Sequence, residues 1–346
     1  MPKARLPENK GLPERWKIQH GAIYYRVPPG MEDKWDGKKW FKLGNTKPEA
    51  YKVWAARLVV VEKAQTIGQL LDRYALEVVP TKAPTTQTGN ALQIEKIRSV
   101  FGDMNLGDLQ PQHIYKYADK RGKKVSARRE IALLSHVYTK AVEWGYISKH
   151  PFKGEVRLEG EKPRTRYIED WEVIECLSLP CVRKRGSVRA IRAYIKLKLL
   201  TGLRRGDLLR LRVSDCRDEG IHITTSKTGK PIIYDWSDEL RLAVDEAKNA
   251  RPVDISPFIF CDKYGRGYVD EKTGNAEGWK SMWGRFMERV LAETKVTERF
   301  TEHDLRAKCA SDADSLEHAR ALLAHADSNM TRKVYRRKPE RVKPLR

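Results

Sequence analysis

Cysteine is scarce in this chain. The five residues, Cys176, Cys181, Cys216, Cys261 and Cys309, are scattered and never fall in a C-x-x-C pair, so neither a zinc knuckle nor a disulfide framework is supported and the thiols are expected to be reduced. No apolar run approaches the ~18 residues of a spanning helix, and no signal peptide opens the chain. A soluble, intracellular protein with no membrane partner is expected. The phosphate-cradling pattern G-x-x-x-x-G-K-[ST] is missing, as is any metal-ligand spacing, so neither ATP nor another cofactor is expected. Internal repeats and low-complexity tracts are also lacking, which excludes solenoids and arrays.

Negative charge is the minority sign. Lys and Arg number 68 against 46 Asp and Glu, a formal net charge of +22 with a pI near 9.7, and such a balance favours a polyanionic partner, nucleic acid first. The 346 residues exceed one ordinary core and suit two or three domains.

Three segments are legible. In residues 1–62 a basic opening, Lys3, Arg5 and Lys10, precedes aromatic–polar alternation through Ile23–Arg26 and Trp40–Leu43, the pattern of short strands. Thr46 with Glu49 three residues on is a capping box, predicting a helix to about Leu58. This small sheet with one helix suits DNA binding, which the charge favours, though the same pattern would suit protein docking. From residue 63 to 155 the period becomes helical. Ile67, Leu70, Leu71, Tyr74, Ala75 and Val78 mark one helix, and others run from about Thr88 to Val100, from Pro111 to Gly122 and from Ser126 to Trp144. Four helices make a bundle. Residues 148–166, with Pro151, Gly154, Gly160 and Pro163, read as a linker. The last segment, 165–346, mixes helices with one hairpin, in which Ile221, Ile223 and Thr225 alternate, Lys227–Lys230 turns and Pro231–Trp236 returns. Trp279, Trp283, Phe286 and Val290 share one helical face and belong in a core. The expected fold is mainly α and multidomain: a small N-terminal sheet with a helix, a four-helix bundle, and a mainly α third domain with a β-hairpin.

Four stretches of the third segment concentrate Arg, Lys, His and one Tyr. In Thr201-Gly202-Leu203-Arg204 a helix with Ile191, Ile195 and Leu199 on its buried face ends at Gly202, so Arg204 lies in a tight turn between helices. Taken singly, such an arginine is more often solvated than aimed inward. Lys227 sits on the hairpin turn, where a lysine usually only solubilises. In Thr301-Glu302-His303-Asp304-Leu305-Arg306, Thr301 and Asp304 fit a helix start and place His303 and Arg306 on one face, an arrangement suited to an anion or to a plain surface pair. His325 is followed by Tyr335, the only tyrosine after Tyr268. Residues 331–346 hold eight Lys or Arg and one Glu, net +7, a setting that favours negative charge on an oxygen. Alone, His325 reads as a helix-end core histidine and Tyr335 as a packing residue against Met330 and Val334.

In this order the four stretches resemble the tyrosine recombinases, the phage integrase family. The family's T-G-x-R is matched by Thr201–Arg204, its hairpin lysine by Lys227, its H-x-x-R by His303–Arg306, and its L-x-H with downstream tyrosine by His325 and Tyr335. The resemblance implies that Arg204 and Arg306 hold the scissile phosphate, that His325 adds a hydrogen bond to it and that His303 accepts the tyrosine proton. It further implies that Lys227 protonates the departing 5′ oxygen and that Tyr335 is the nucleophile forming a 3′-phosphotyrosyl link. Three features depart from the pattern. Asp207 stands where glutamate is usual, Ala324 where glycine is common before the histidine, and the interval from His325 to Tyr335 is one residue longer. More weakly, residues 63–155 resemble the core-binding domain of lambda-type integrases and residues 1–62 their arm-binding domain.

What the resemblance implies is a site-specific recombinase that integrates and excises a phage or other mobile element, needing neither metal nor ATP because bond energy is kept in the covalent intermediate. Its implied partners are double-stranded DNA attachment sites, three further copies in a homotetramer on DNA, a DNA-bending host factor and an excisionase. Its implied location is the nucleoid-associated cytoplasm of a bacterial or phage-infected cell. The rival readings are a non-catalytic DNA-binding regulator that kept the fold and a type IB topoisomerase-like enzyme.

Overall fold

A computed structural model describes Asn9, residues 11–55, Arg57, and residues 64–160, 163–182 and 185–338. The basic opening, the expected helix end at Leu58 and the tail beyond Lys338 lie outside the described residues. The chain divides into two compact units, Met1–Glu161 and Lys162–Arg346, and the mainly α, multidomain fold expected from the sequence is the one observed.

The first unit opens with an antiparallel sheet of β1 (Trp16–Gln19), β2 (Ala22–Arg26) and β3 (Trp40–Gly44), in that order. Strand β1 was not anticipated, because its four residues are too few to show alternation. Its pairing with β2, Trp16 opposite Tyr25 and Gln19 opposite Ala22, supplies the signal that sequence lacks. Rings of Trp16, Tyr25, Trp35, Phe41 and Trp54 pack edge to face or tilted under the sheet, together with α1 (Lys47–Ala55).

Helix α2 (Ile67–Glu77) starts from the capping box of Thr66 and Gln69. Helix α3 (Pro84–Phe101) begins four residues earlier than the pattern suggested, since Pro84 takes the first helical position, where its missing N–H costs nothing. Helices α4 (Pro111–Arg121) and α5 (Lys124–Glu143) follow. One apolar core runs from Leu12 to Phe152 and is shared by the sheet and the helices. The start of the expected linker therefore belongs to this unit: Phe152 is buried against Tyr138 and His150.

In the second unit come α6 (Asp170–Ser178), α7 (Ser187–Thr201), α8 (Arg205–Leu209), the hairpin β4 (Gly220–Thr224) and β5 (Pro231–Asp235), α9 (Asp238–Asn249), α10 (Glu277–Glu293), α11 (Glu302–Asp312), α12 (Leu316–Leu322) and α13 (Ser328–Met330). Trp279, Trp283, Phe286 and Val290 of α10 are buried as their spacing implied, around Tyr194 and Phe260. Helix α7 is the pillar of this unit, packing along α9 on one side and α11 on the other. Among the described residues, no helix is long and apolar enough to cross a membrane.

Candidate active site

The site is assembled where the C-terminal end of α7, the N-terminal turn of α11 and the chain after α12 converge. Helix α7 stops because Gly202 adopts φ +62°, a left-handed conformation that costs an L side chain ~1–2 kcal/mol. Thr201 secures the turn, its hydroxyl donating to the Leu197 carbonyl at 2.6 Å and accepting from the Leu203 amide at 3.3 Å. Arg204 follows as the residue capping α8, with one guanidinium nitrogen, Nη1, buried and without a partner among the described residues.

Thr301 caps α11, and Asp304 answers it through the Thr301 amide at 2.9 Å and hydroxyl at 2.8 Å. This fixes the turn that presents His303 and Arg306. Arg306 is 2 % exposed. It donates to the carbonyls of Gly202 and Leu323, so it ties the end of α7 to the end of α12, while its Nε is buried and has no partner among the described residues. Burial, reinforced by the nearby Arg204 charge, lowers its pKa. Two guanidinium groups thus keep an unused buried N–H each, a costly condition that an oxyanion would relieve.

His325 Nε2 lies 3.1 Å from Arg306 Nη2. A guanidinium can only donate, so Nε2 accepts and the ring proton sits on Nδ1, directed at Thr331 Oγ1 at 2.8 Å. Tyr335 is buried with its hydroxyl 3.0 Å from His303 Nε2. Its ring stacks obliquely on both histidines and lies under the Arg306 guanidinium, 5.4 Å from centroid to Cζ. Both histidines have pKa values lowered to about 4. For His303 the causes are burial, then the charges of Arg306, Arg337 and Lys198; for His325 they are burial, then Arg306, Arg204 and Lys227. At neutral pH both rings are uncharged, and in the tautomer with its proton on Nδ1 His303 accepts from the Tyr335 hydroxyl through Nε2.

The two spacing departures have a structural resolution. Ala324 has φ +55°, the left-handed conformation that explains why glycine is common there. The additional residue before Tyr335 is absorbed by a π turn over Thr331–Tyr335, closed by the Arg336 amide on the Thr331 carbonyl at 3.1 Å. A π turn takes up one residue without redirecting the chain, so the hydroxyl still reaches His303. Asp207 Oδ1 accepts from the Ser226 amide at 2.9 Å and so moors the hairpin turn to α8. Lys227 on that turn is exposed; it is within electrostatic reach of His325 but touches none of the other five residues.

Sequence reasoning missed the groups that hold Tyr335 in place. Ser311 Oγ donates to the Tyr335 carbonyl at 2.9 Å and accepts from the Arg337 amide at 2.7 Å. Arg337, 4 % exposed at its side chain, meets the fully buried Asp304 carboxylate at 2.6 Å. The capping pattern identified Asp304 but not this second duty, which depends on a contact across 33 residues.

Residues 181–341 match the phage integrase family, and residues 66–121 match the N-terminal SAM-like domain of phage integrases. Among curated relatives, the integrase of Escherichia phage HK022 is 26 % identical over 216 residues, which is 58 % of this chain and 57 % of the relative. The chain therefore aligns with little more than half of that protein's length. Among solved structures, a lambda integrase dimer bound to a COC′ core site superposes with a TM-score of 0.65 at 21 % identity, covering 99 % of each chain. A lambda integrase tetramer bound to a Holliday junction gives a TM-score of 0.60 at 22 % identity, covering 92 % of this chain and 97 % of the other. With both family matches falling on the helical bundle and on the segment that carries Arg204, Arg306 and Tyr335, the chain belongs to the phage integrase family of tyrosine recombinases.

Proposed function

We propose that this protein is a site-specific recombinase that cleaves and rejoins double-stranded DNA through a covalent bond from Tyr335 to a 3′ phosphate. The observation that carries the proposal is the Tyr335 hydroxyl at 3.0 Å from a neutral histidine nitrogen, beside two arginines with unpartnered buried N–H groups.

A phosphodiester repels nucleophiles and has a poor leaving group. Arg204 and Arg306 hold the non-bridging oxygens and offset their growing charge. The Tyr335 oxygen attacks phosphorus, its proton passes to His303 Nε2, and the bond from phosphorus to the 5′ oxygen breaks as Lys227 gives that oxygen a proton. His325 holds the Arg306 fork in position through Nε2. Rejoining reverses each transfer, so the phosphotyrosyl bond carries the energy for the second strand. Lys227 is exposed on its turn, and its approach to the leaving oxygen belongs to the DNA-bound state.

Residues 165–346 are the catalytic module in this reading, 63–155 a core-site clamp and 1–62 an arm-site module. The chain acts on DNA attachment sites as a homotetramer in the cytoplasm, on a phage or other mobile element, with a DNA-bending host factor and an excisionase setting direction. The proposal is tested with Tyr335→Phe, which keeps DNA binding and yields no protein–DNA adduct on a nicked duplex substrate. An adduct formed by the Phe variant and mapped to another residue would overturn the assignment.

A further inference from the structure

The buried face of α7 contains one residue that does not belong in a core. Ile191, Tyr194, Ile195, Lys198 and Thr201 are all buried, and Leu199, the apolar residue expected to share that face, is only partly so. Lys198 therefore takes a core position, 1 % exposed. It makes no ion pair with any described residue. Its ammonium lies 5.5 Å from the centroid of the Tyr194 ring, a weak substitute for water. A methionine or leucine would fill the position at no desolvation cost, so packing alone gives no reason for a lysine one turn before the end of α7.

The charges around Lys198 belong to the site. From α11 come Glu302, which favours the ammonium, and Arg306, which opposes it; from α8 come Arg205, which opposes it, and Asp207, which favours it. Glu302 is engaged elsewhere, accepting from Trp279 Nε1 of α10 at 2.8 Å and facing Arg205 at 3.5 Å. On α9, Glu246 is paired with Lys196. His303 and Cys309 both feel the Lys198 charge. With no anion in the cradle, an ammonium here is desolvated and set among arginines.

We infer that Lys198 is a positioning residue whose charge follows the occupancy of the phosphate cradle: it gives up its proton while Arg204 and Arg306 face no anion, and takes one up when the scissile phosphate docks. The inference rests on the proposed function only in naming that phosphate. Burial first, and the arginine charges after it, bring the Lys198 pKa down to about 7, where a single added negative charge moves the proton occupancy most. Protonation then places one more positive charge behind His303 and Arg306 as charge builds on the phosphoryl oxygens. A third permanent guanidinium would supply that charge but would repel its neighbours in the empty site.

The test follows the lysine ε-carbon resonances by NMR as a function of pH, with inorganic sulfate as the anion because it does not titrate in this range. Wild-type protein shows one lysine with a midpoint near neutrality. Lys198→Met lacks it and stays folded, since an apolar side chain suits the position. Sulfate shifts the midpoint upward by at least half a pH unit, whereas chloride at equal ionic strength does not. Arg204→Ala keeps the titration and loses the sulfate shift. The inference is overturned if no lysine titrates below pH 9, or if the midpoint ignores sulfate in wild type. Adduct formation by wild type, measured separately, reports on the recombinase reading, so the two can fail independently.

Discussion

Replacing Arg337 tests whether the tyrosine is delivered by a clamp built into its own segment. The guanidinium donates to Asp304 at 2.6 Å, to the Arg166 carbonyl at 3.1 Å and to the Val334 carbonyl at 3.1 Å, two residues beyond Tyr335. Removing one partner of a buried ion pair typically costs ~3–5 kcal/mol. Asp304 keeps Thr301 and the half-exposed Arg164, 3.0 Å away, so Arg337→Ala should fall at or below the low end of that range, ~2–3 kcal/mol. These contacts hold the segment onto α11, and their loss falls on local docking before global unfolding. A cost of ~2–3 kcal/mol lowers the docked-to-undocked ratio roughly 30- to 150-fold. Amide exchange over Thr331–Arg336 should accelerate by that factor, with adduct formation slowed at least several-fold. A cycle with Asp304→Asn should show the two losses to be non-additive by ~1 kcal/mol or more. If Arg337→Ala leaves both exchange and adduct rate at the wild-type level, the clamp has no role in placing Tyr335.

The two left-handed residues around Arg306 should respond oppositely. Gly202→Ala brings a Cβ to 2.7 Å from Leu323 and 3.1 Å from the Cys309 sulfur and should lower stability by ~2–4 kcal/mol in denaturant melts, whereas Ala324→Gly relieves φ +55° and should be neutral or stabilising by up to ~1 kcal/mol. For pH, the neutral folded-state histidines and the depressed Asp304 carboxyl act in one direction. The unfolded chain takes up histidine protons below the ordinary value of 6.5 while His303 and His325 resist until about 4, so stability should fall as pH drops from 6.5 to 4, and further as Asp304 protonates below its ordinary 3.8. Thermal melts of a His303→Gln, His325→Gln double variant should show a flatter acid limb, and an unchanged limb would count against their neutrality. Lys227→Ala should slow cleavage ~10²–10⁴-fold and recover on a 5′-bridging phosphorothiolate, whose thiolate leaves without a proton; no recovery would pass the acid role to Lys230 as the next residue to test.

The parts legible in the sequence are those written in local pattern. Thr66, Thr301 and Pro111 mark helix starts by chemistry confined to one turn, and the α10 tryptophans declare their burial by spacing alone. The boxes around Arg204, Arg306 and Tyr335 were legible for the same reason, since each is a short run on one element. Strand β1 was illegible because a four-residue strand is defined by its partner. The Ser311 and Arg337 contacts on the tyrosine segment were illegible because they join residues about 25 to 33 apart, with no periodicity to betray them.

Lys198 shows a different limit. Its position on α7 reads as one more charge on a helix already rich in Lys and Arg, and only the packing of the helix reveals that it is buried. The same inversion applies to Ala324 and the π turn. In sequence they are two departures from a family pattern that act on the same short segment; in the structure they cooperate. Ala324 accepts a left-handed residue so that its neighbour His325 can reach Arg306, and Thr331, which opens the π turn, receives the other face of that imidazole. The extra residue thus does not displace Tyr335. The turn that absorbs it opens at Thr331, which holds His325 against Arg306, so the placement of Tyr335 is coupled to that of the arginine, the relative position on which the proposed chemistry depends.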